Sequence, residues 1–203
     1  EIKSYALKFN DIPVCPDGEM LAPAYNANGI TDDNNRHRST LKNKVSIPRE
    51  ILPDKLLFSG TEFAFSQGEK NCLVCDGSEL EVSEGFGSVR LLITSLNGDK
   101  KAAFSCGNKI TEVFVPDCFE ALGQWDLMMQ KETGYIKTVP QALSLSHTHN
   151  ASGNLTAKQF YLFEVEIPLE GETKIKLPED EDIVIFAATA VRKKPEFIKG
   201  NEH

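Results

Sequence analysis

The sequence predicts an all-β fold, an antiparallel β-sandwich of jelly-roll type, on three observations. Apolar residues fall in short runs rich in β-branched and aromatic side chains, of which Val89 to Leu96 and Ile183 to Val191 are typical. Gly, Asn and Asp separate these runs at short intervals. No long stretch carries the i, i+3, i+4, i+7 apolar stripe of an amphipathic helix, and Phe119-Glu120-Ala121-Leu122 has room for one helical turn at most.

The elements follow in order. Glu1 to Phe9 reads as a strand with Tyr5, Leu7 and Phe9 on one face. Because a protein rarely starts in mid-strand, residues 1–10 are expected to be the terminal strand of a preceding β-domain, in a piece cut from a longer polypeptide. Pro, Asn and Gly then punctuate the chain, and residues 11–28 read as a linker. The sandwich is expected over 29–194, with a tail at 195–203. Asn28 to Asn35 is a polar loop with carboxylates and amides that could hold Ca²⁺, although it lacks EF-hand spacing. Leu56-Leu57-Phe58 crosses Ser59-Gly60 into Phe63-Ala64-Phe65. Val89 to Leu96 meets Asn97-Gly98, a strong hairpin signal, so Lys101 to Cys106 is the expected return strand. Ile110 to Val115 ends at Pro116, and later strands are expected at Phe160 to Ile167, Thr173 to Leu177 and Ile183 to Val191. Phe160, Leu162 and Ile183 to Ala187 are expected on the inner faces.

With 203 residues and 40% hydrophobic side chains, the chain suits one large domain or one domain plus a small appendage. A mean hydropathy of −0.29 and the lack of a long uncharged apolar run give no reason to expect a membrane span. The formal charge of −8 argues against a nucleic-acid partner, since the longest basic cluster is Arg192-Lys193-Lys194. The chain has five cysteines, which cannot all pair. Cys72 and Cys75 have C-x-x-C spacing but sit in a strand-like run that points them to opposite faces, and no second C-x-x-C completes a zinc ribbon. They read as reduced, partly buried thiols. Unpaired cysteines and no visible signal peptide set a cytoplasmic expectation, and the sequons at Asn150 and Asn154 do not change it.

Candidate site residues concentrate between Gly123 and His149. Trp125, the chain's only Trp, offers a flat face of the kind that stacks on a sugar ring. Gln124, Asp126, His147 and His149 supply directional hydrogen bonds. His147 and His149, two apart on a strand, point to one side and could share a metal or a substrate. The bland alternative makes Trp125 core and the histidines partners of buried polar groups.

Gly123-Gln124-Trp125-Asp126, Gly134-Tyr135-Ile136-Lys137 and Ser146-His147-Thr148-His149 also carry a resemblance. So do Glu1 to Leu7, Ile51-Leu52-Pro53 with Phe63, Asn71 to Gly77, Gln159 to Phe163, and Leu177 to Glu181 with Ile185 to Thr189. In that order they resemble the C-terminal region of bacterial-type α-mannosidases of glycoside hydrolase family 38. The resemblance implies a non-catalytic C-terminal β-sandwich of a retaining enzyme that hydrolyses terminal α-mannosides, packed on the catalytic region, with the Gln124-to-His149 segment capping the active site or stabilising the interface. Its partners would be the rest of that polypeptide and mannosides. The family's Asp nucleophile and Zn²⁺ belong to the catalytic region, and no residue here matches either motif. No cofactor is therefore expected in this chain, and alone it should be inactive.

Two other functions compete. One is an autonomous carbohydrate-binding module with Trp125 as platform. The other is a metal-binding domain using His147, His149 and the Asp32-Asp33 loop.

Overall fold

A computed structural model of the chain describes residues 18–120, 123–124 and 135–192. The strands are β1 (Gly18–Leu21), β2 (Ile30–Thr31), β3 (Ile47–Pro48), β4 (Lys55–Phe58), β5 (Thr61–Ala64) and β6 (Leu73–Asp76). Next come β7 (Glu79–Glu81), β8 (Ser88–Ser95), β9 (Lys100–Cys106), β10 (Lys109–Val115), β11 (Gly123–Gln124) and β12 (Tyr135–Ile136). The remainder are β13 (Gln141–Leu145), β14 (Thr148–Asn150), β15 (Gly153–Leu155), β16 (Phe160–Pro168), β17 (Lys174–Lys176) and β18 (Glu179–Val191). Helical structure among the described residues is limited to two 3-10 turns, Arg36–Arg38 and Arg49–Ile51.

The antiparallel sandwich expectation holds. The main sheet runs β1-β18-β8-β16-β13, with β6 also on β18, and the second runs β10-β9-β17-β7. Leu91, Ile93, Val165, Ile167 and Ile185 of the main sheet face Leu80, Ala102, Phe104 and Ile175 of the second. The main sheet is also covered on its other face. Leu92, Phe160, Leu162, Val184 and Phe186 pack there against Ile30, Leu41, Ile47, Phe63 and Phe65, from the short strands and loops before β6. Burial on both faces explains why β8 and β18 read as nearly continuous apolar runs rather than alternating ones. It also divides the expected inner-face residues: Ile183 and Ile185 meet the second sheet, whereas Phe160 and Leu162 lie under the covering layer.

The hairpin expected at Asn97-Gly98 is not one. β8 and β9 belong to different sheets, so this turn carries the chain across the sandwich. Asp117 holds the crossing by accepting a 2.6 Å bond from the Gly98 amide, while Gly98 sits at φ 70°. The return strand of β9 is β10, across Gly107-Asn108, with Lys109 opposite Cys106. Ser59-Gly60 does close the expected β4–β5 hairpin, both residues at positive φ as a type I′ turn requires.

Residues 1–10 and 195–203 lie outside the described residues. The span read as a linker contributes β1, paired with Ala188–Val191 of β18. The alternation expected through Cys72 and Cys75 is visible in the core: Leu73 and Cys75 face the second sheet, and Cys72 faces the covering layer. Both are free thiols whose pKa burial pushes well up, so they are poor nucleophiles and poor metal ligands. Among the described residues no helix is long and apolar enough to cross a membrane.

Candidate functional site

The covering layer brings distant segments together at one end of the sandwich. Gly29 lets the chain lie directly on the main sheet, since a Cβ there would stand 2.7 Å from Cys72 Sγ and 3.1 Å from Phe186. Asn71, 2% exposed, brackets the next residue: its Oδ1 accepts from the Gly29 and Ile30 amides and its Nδ2 donates to Ile30 O. β2 then runs parallel to β3, and an isolated bridge joins Ser46 to His149. Ser46 and His149 exchange both backbone hydrogen bonds, at 3.0 and 3.1 Å, which fixes the base of the His149 side chain.

The His149 ring is fully buried. Its Nδ1 lies 3.0 Å from the Thr31 hydroxyl, itself 2.6 Å from the Ser46 hydroxyl. Its Nε2 points outward, 3.1 Å from Asp33 Oδ1 and 3.9 Å from Glu50 Oε2. Despite the 3.1 Å approach of Asp33 Oδ1, Nε2 makes no hydrogen bond. Each carboxylate is tied to the loop: the Asp33 backbone amide donates to Glu50 Oε1, and Arg36 Nη2 donates to Asp33 Oδ1 at 2.6 Å. Arg36 Nε donates to Asn154 Oδ1, securing the β14–β15 hairpin to the turn.

Burial pushes the His149 pKa below its ordinary value, with Arg36 and His147 acting in the same direction and Glu50 and Asp33 opposing. The ring is therefore neutral near pH 7. Hydroxyl, imidazole and carboxylate stand in the order of a nucleophile–base–orienter chain, but the exposures are wrong for acyl transfer. Thr31 is 3% exposed and Ser46 is fully buried, so neither hydroxyl can reach a substrate. They hold the ring. The outward-facing chemistry consists of one imidazole nitrogen and two carboxylates, whose ligand atoms lie within 4.8 Å of one another.

The sequence-predicted residues divide at this point. His147 and His149 do share a side, with ring centroids 5.9 Å apart, but His147 Nδ1 bonds the Ser146 hydroxyl and stands outside the three-residue cluster. Asp32 turns away to accept from the Asn35 side chain, while Asp33 joins His149. The Gln124 backbone pairs with Tyr135 in the small β11–β12 ladder. Trp125 and Asp126 lie outside the described residues. Lys137, the last residue of the Gly134-Tyr135-Ile136-Lys137 segment, is buried in ion pairs of 2.7 Å with Asp99 and Glu120. Glu50, Thr31, Ser46 and Arg36 carry no local signal in the sequence. Only the Ser46–His149 bridge and the β2–β3 pairing make them neighbours of His149.

A family model described as AziU2-like beta-sandwich domain matches residues 19–194. The chain belongs to that family. The match begins within β1 and ends just past β18, so the AziU2-like domain includes both faces of the main sheet and the whole His149 cluster. No curated protein matches the AziU2-like chain described here.

Proposed function

We propose that this AziU2-like domain is a non-catalytic, ligand-binding β-sandwich module of a larger protein. Its working surface is the end where residues 28–50 meet β14 and β15. One observation carries the reading: a buried, rigidly oriented imidazole faces two half-exposed carboxylates, and the two hydroxyls behind it, Thr31 and Ser46, are themselves buried. The surroundings suit a small polar ligand. A cleft of about 290 Å³ alongside is lined by Thr31, Asp32, Asn35, Arg38, Arg49 and Asn71 among others. The large apolar side chains exposed among the described residues are scattered singly, Ile51 being the one in the Glu50 turn. An apolar docking face therefore has less support than a polar ligand.

Placement in an α-mannosidase rests on the ordered segments that resemble glycoside hydrolase family 38, and the family match adds nothing to it. In that setting the ligand is a mannoside and the parent's catalytic region is the partner. The test is a titration of the isotope-labelled chain with methyl α-mannoside, followed by amide chemical shifts, together with an assay on p-nitrophenyl α-mannoside. Shifts confined to residues 28–50 and 147–155, with no hydrolysis, support the module and its sugar. Hydrolysis by the isolated chain would sink the non-catalytic reading. Silence towards the mannoside removes the sugar as the module's ligand.

A further inference from the structure

We infer that Asp33, Glu50 and His149 form a binding site for a divalent transition-metal ion of the zinc class, with His149 Nε2 and one oxygen of each carboxylate as ligands. The buried ring leads the argument. His149 is fully buried, yet one of its two nitrogens has no hydrogen bond and is aimed at anionic groups. If Nδ1 carries the ring proton and donates it to Thr31, Nε2 presents a lone pair to two carboxylates. Lone pairs that face one another in this way are stabilised by a cation between them, and a metal ion does so without moving the proton from Nδ1. The Thr31–Ser46 hydroxyl pair behind Nδ1 is the kind of supporting contact that fixes the tautomer of a metal-bound histidine.

The spacing fits the same ion. Donors on tetrahedral Zn²⁺, with bonds of about 2.0–2.1 Å, stand about 3.3 Å apart. The separations from Nε2 to Asp33 Oδ1 and Glu50 Oε2 are 3.1 and 3.9 Å, which bracket that value. Imidazole with carboxylates suits zinc-like ions better than Ca²⁺ or Mg²⁺, which take oxygen ligands. The half-exposed carboxylates leave the outer side of the site open to water or to a ligand anion, as in a three-ligand zinc centre. Arg36 competes for the site, since its guanidinium already holds Asp33 Oδ1 at 2.6 Å. The cluster lies on the surface assigned to the module's ligand, but the two proposals fail separately: zinc binding needs no sugar, and a sugar response that survives chelation needs no zinc.

The experiment is calorimetric titration of the chelator-stripped full chain with Zn²⁺, repeated with Co²⁺ for its absorption spectrum. One site per chain is expected, with Co²⁺ bands of a nitrogen–oxygen ligand set and no thiolate charge-transfer band. Asp33→Asn and Glu50→Gln change half-exposed groups and should leave the fold intact, each weakening Zn²⁺ binding at least about tenfold. Loss of a direct ligand costs no less than loss of a supporting contact. Arg36→Gln should tighten binding. The proposal is overturned by the absence of a Zn²⁺ response, by unchanged affinity in both carboxylate variants, or by a thiolate band that places the ion on cysteine.

Discussion

Asp182 and His149 are both buried polar side chains set among charged neighbours, and they are closed in opposite ways. Asp182, 5% exposed at the start of β18, receives Lys100 at 3.1 Å, Lys42 at 3.0 Å and the Asn97 amide at 3.4 Å. Burial pushes its carboxyl up, but the hydrogen bonds from Lys42, Lys100 and Asn97 together outweigh that and hold it below the usual carboxylate range. His149 is more deeply buried and is satisfied on one side only. Where each oxygen of a buried group has a donor, the group acts as a staple: Asp182 ties β18 to β9 and to the 42–45 loop. Where one lone pair is left facing exposed anions, the fold has retained capacity for something it does not itself supply.

The substitution expected to separate the two most is His149→Ala. It leaves a cavity under the covering layer and strips the Thr31 hydroxyl of its ring partner, so a loss of about 2–4 kcal/mol is expected in urea unfolding. Asp182→Ala should cost less, about 1–2 kcal/mol, because Lys42 is 60% and Lys100 25% exposed in side-chain area and both can turn to water. If the two losses come out reversed, the staple is Asp182's cluster alone and His149 is a replaceable filler.

Acid sharpens the contrast without mutation. The pKa of His149 is lower folded than its ordinary 6.5, so the unfolded chain binds its proton first. The stability tied to a neutral ring is complete above that value and is lost progressively as pH falls from it towards the folded pKa. Asp182 is also depressed, from an ordinary 3.8, so its contribution survives until far more acidic solutions. Urea midpoints measured between pH 7.5 and pH 5 should therefore fall in the wild type and hold nearly level in His149→Gln. Asp33→Asn and Glu50→Gln are expected to change metal-free stability least, within about 0.5 kcal/mol, because both groups are half-exposed. A larger loss in either would mean that the carboxylates are structural partners of the ring rather than its open side.

The legibility of these features in the sequence followed their range. The two-residue turn at Ser59-Gly60 and the alternation through Cys72 and Cys75 depend on local chemistry, and both could be read directly. Asn97-Gly98 misled because a tight turn fixes a reversal of direction but not the sheet to which the second strand belongs. That choice is made by Asp117 and by the pairing of β9 with β17. The pairing of His149 with Asp33 was half legible, since both residue types drew attention while their contact spans more than a hundred positions. Glu50 was not legible at all: it reaches the site through the turn after Pro48, and no spacing rule connects it to residue 149. In the covering layer proximity comes from packing on a sheet, so the chemistry assembles from residues with no periodic relation.

The position of β18 also bears on how the protein comes into being. It is the last strand described, yet β1, β6 and β8 all hydrogen-bond to it, and both packed cores close over it. As the chain leaves the ribosome from its N-terminal end, Gly18–Leu21 must wait for residues 188–191 before it has a partner. The native sheet cannot close around a growing chain. Its edges stay open until synthesis is nearly past this domain, and the exposed strands depend on speed of late pairing, or on a chaperone, to avoid pairing with each other's copies.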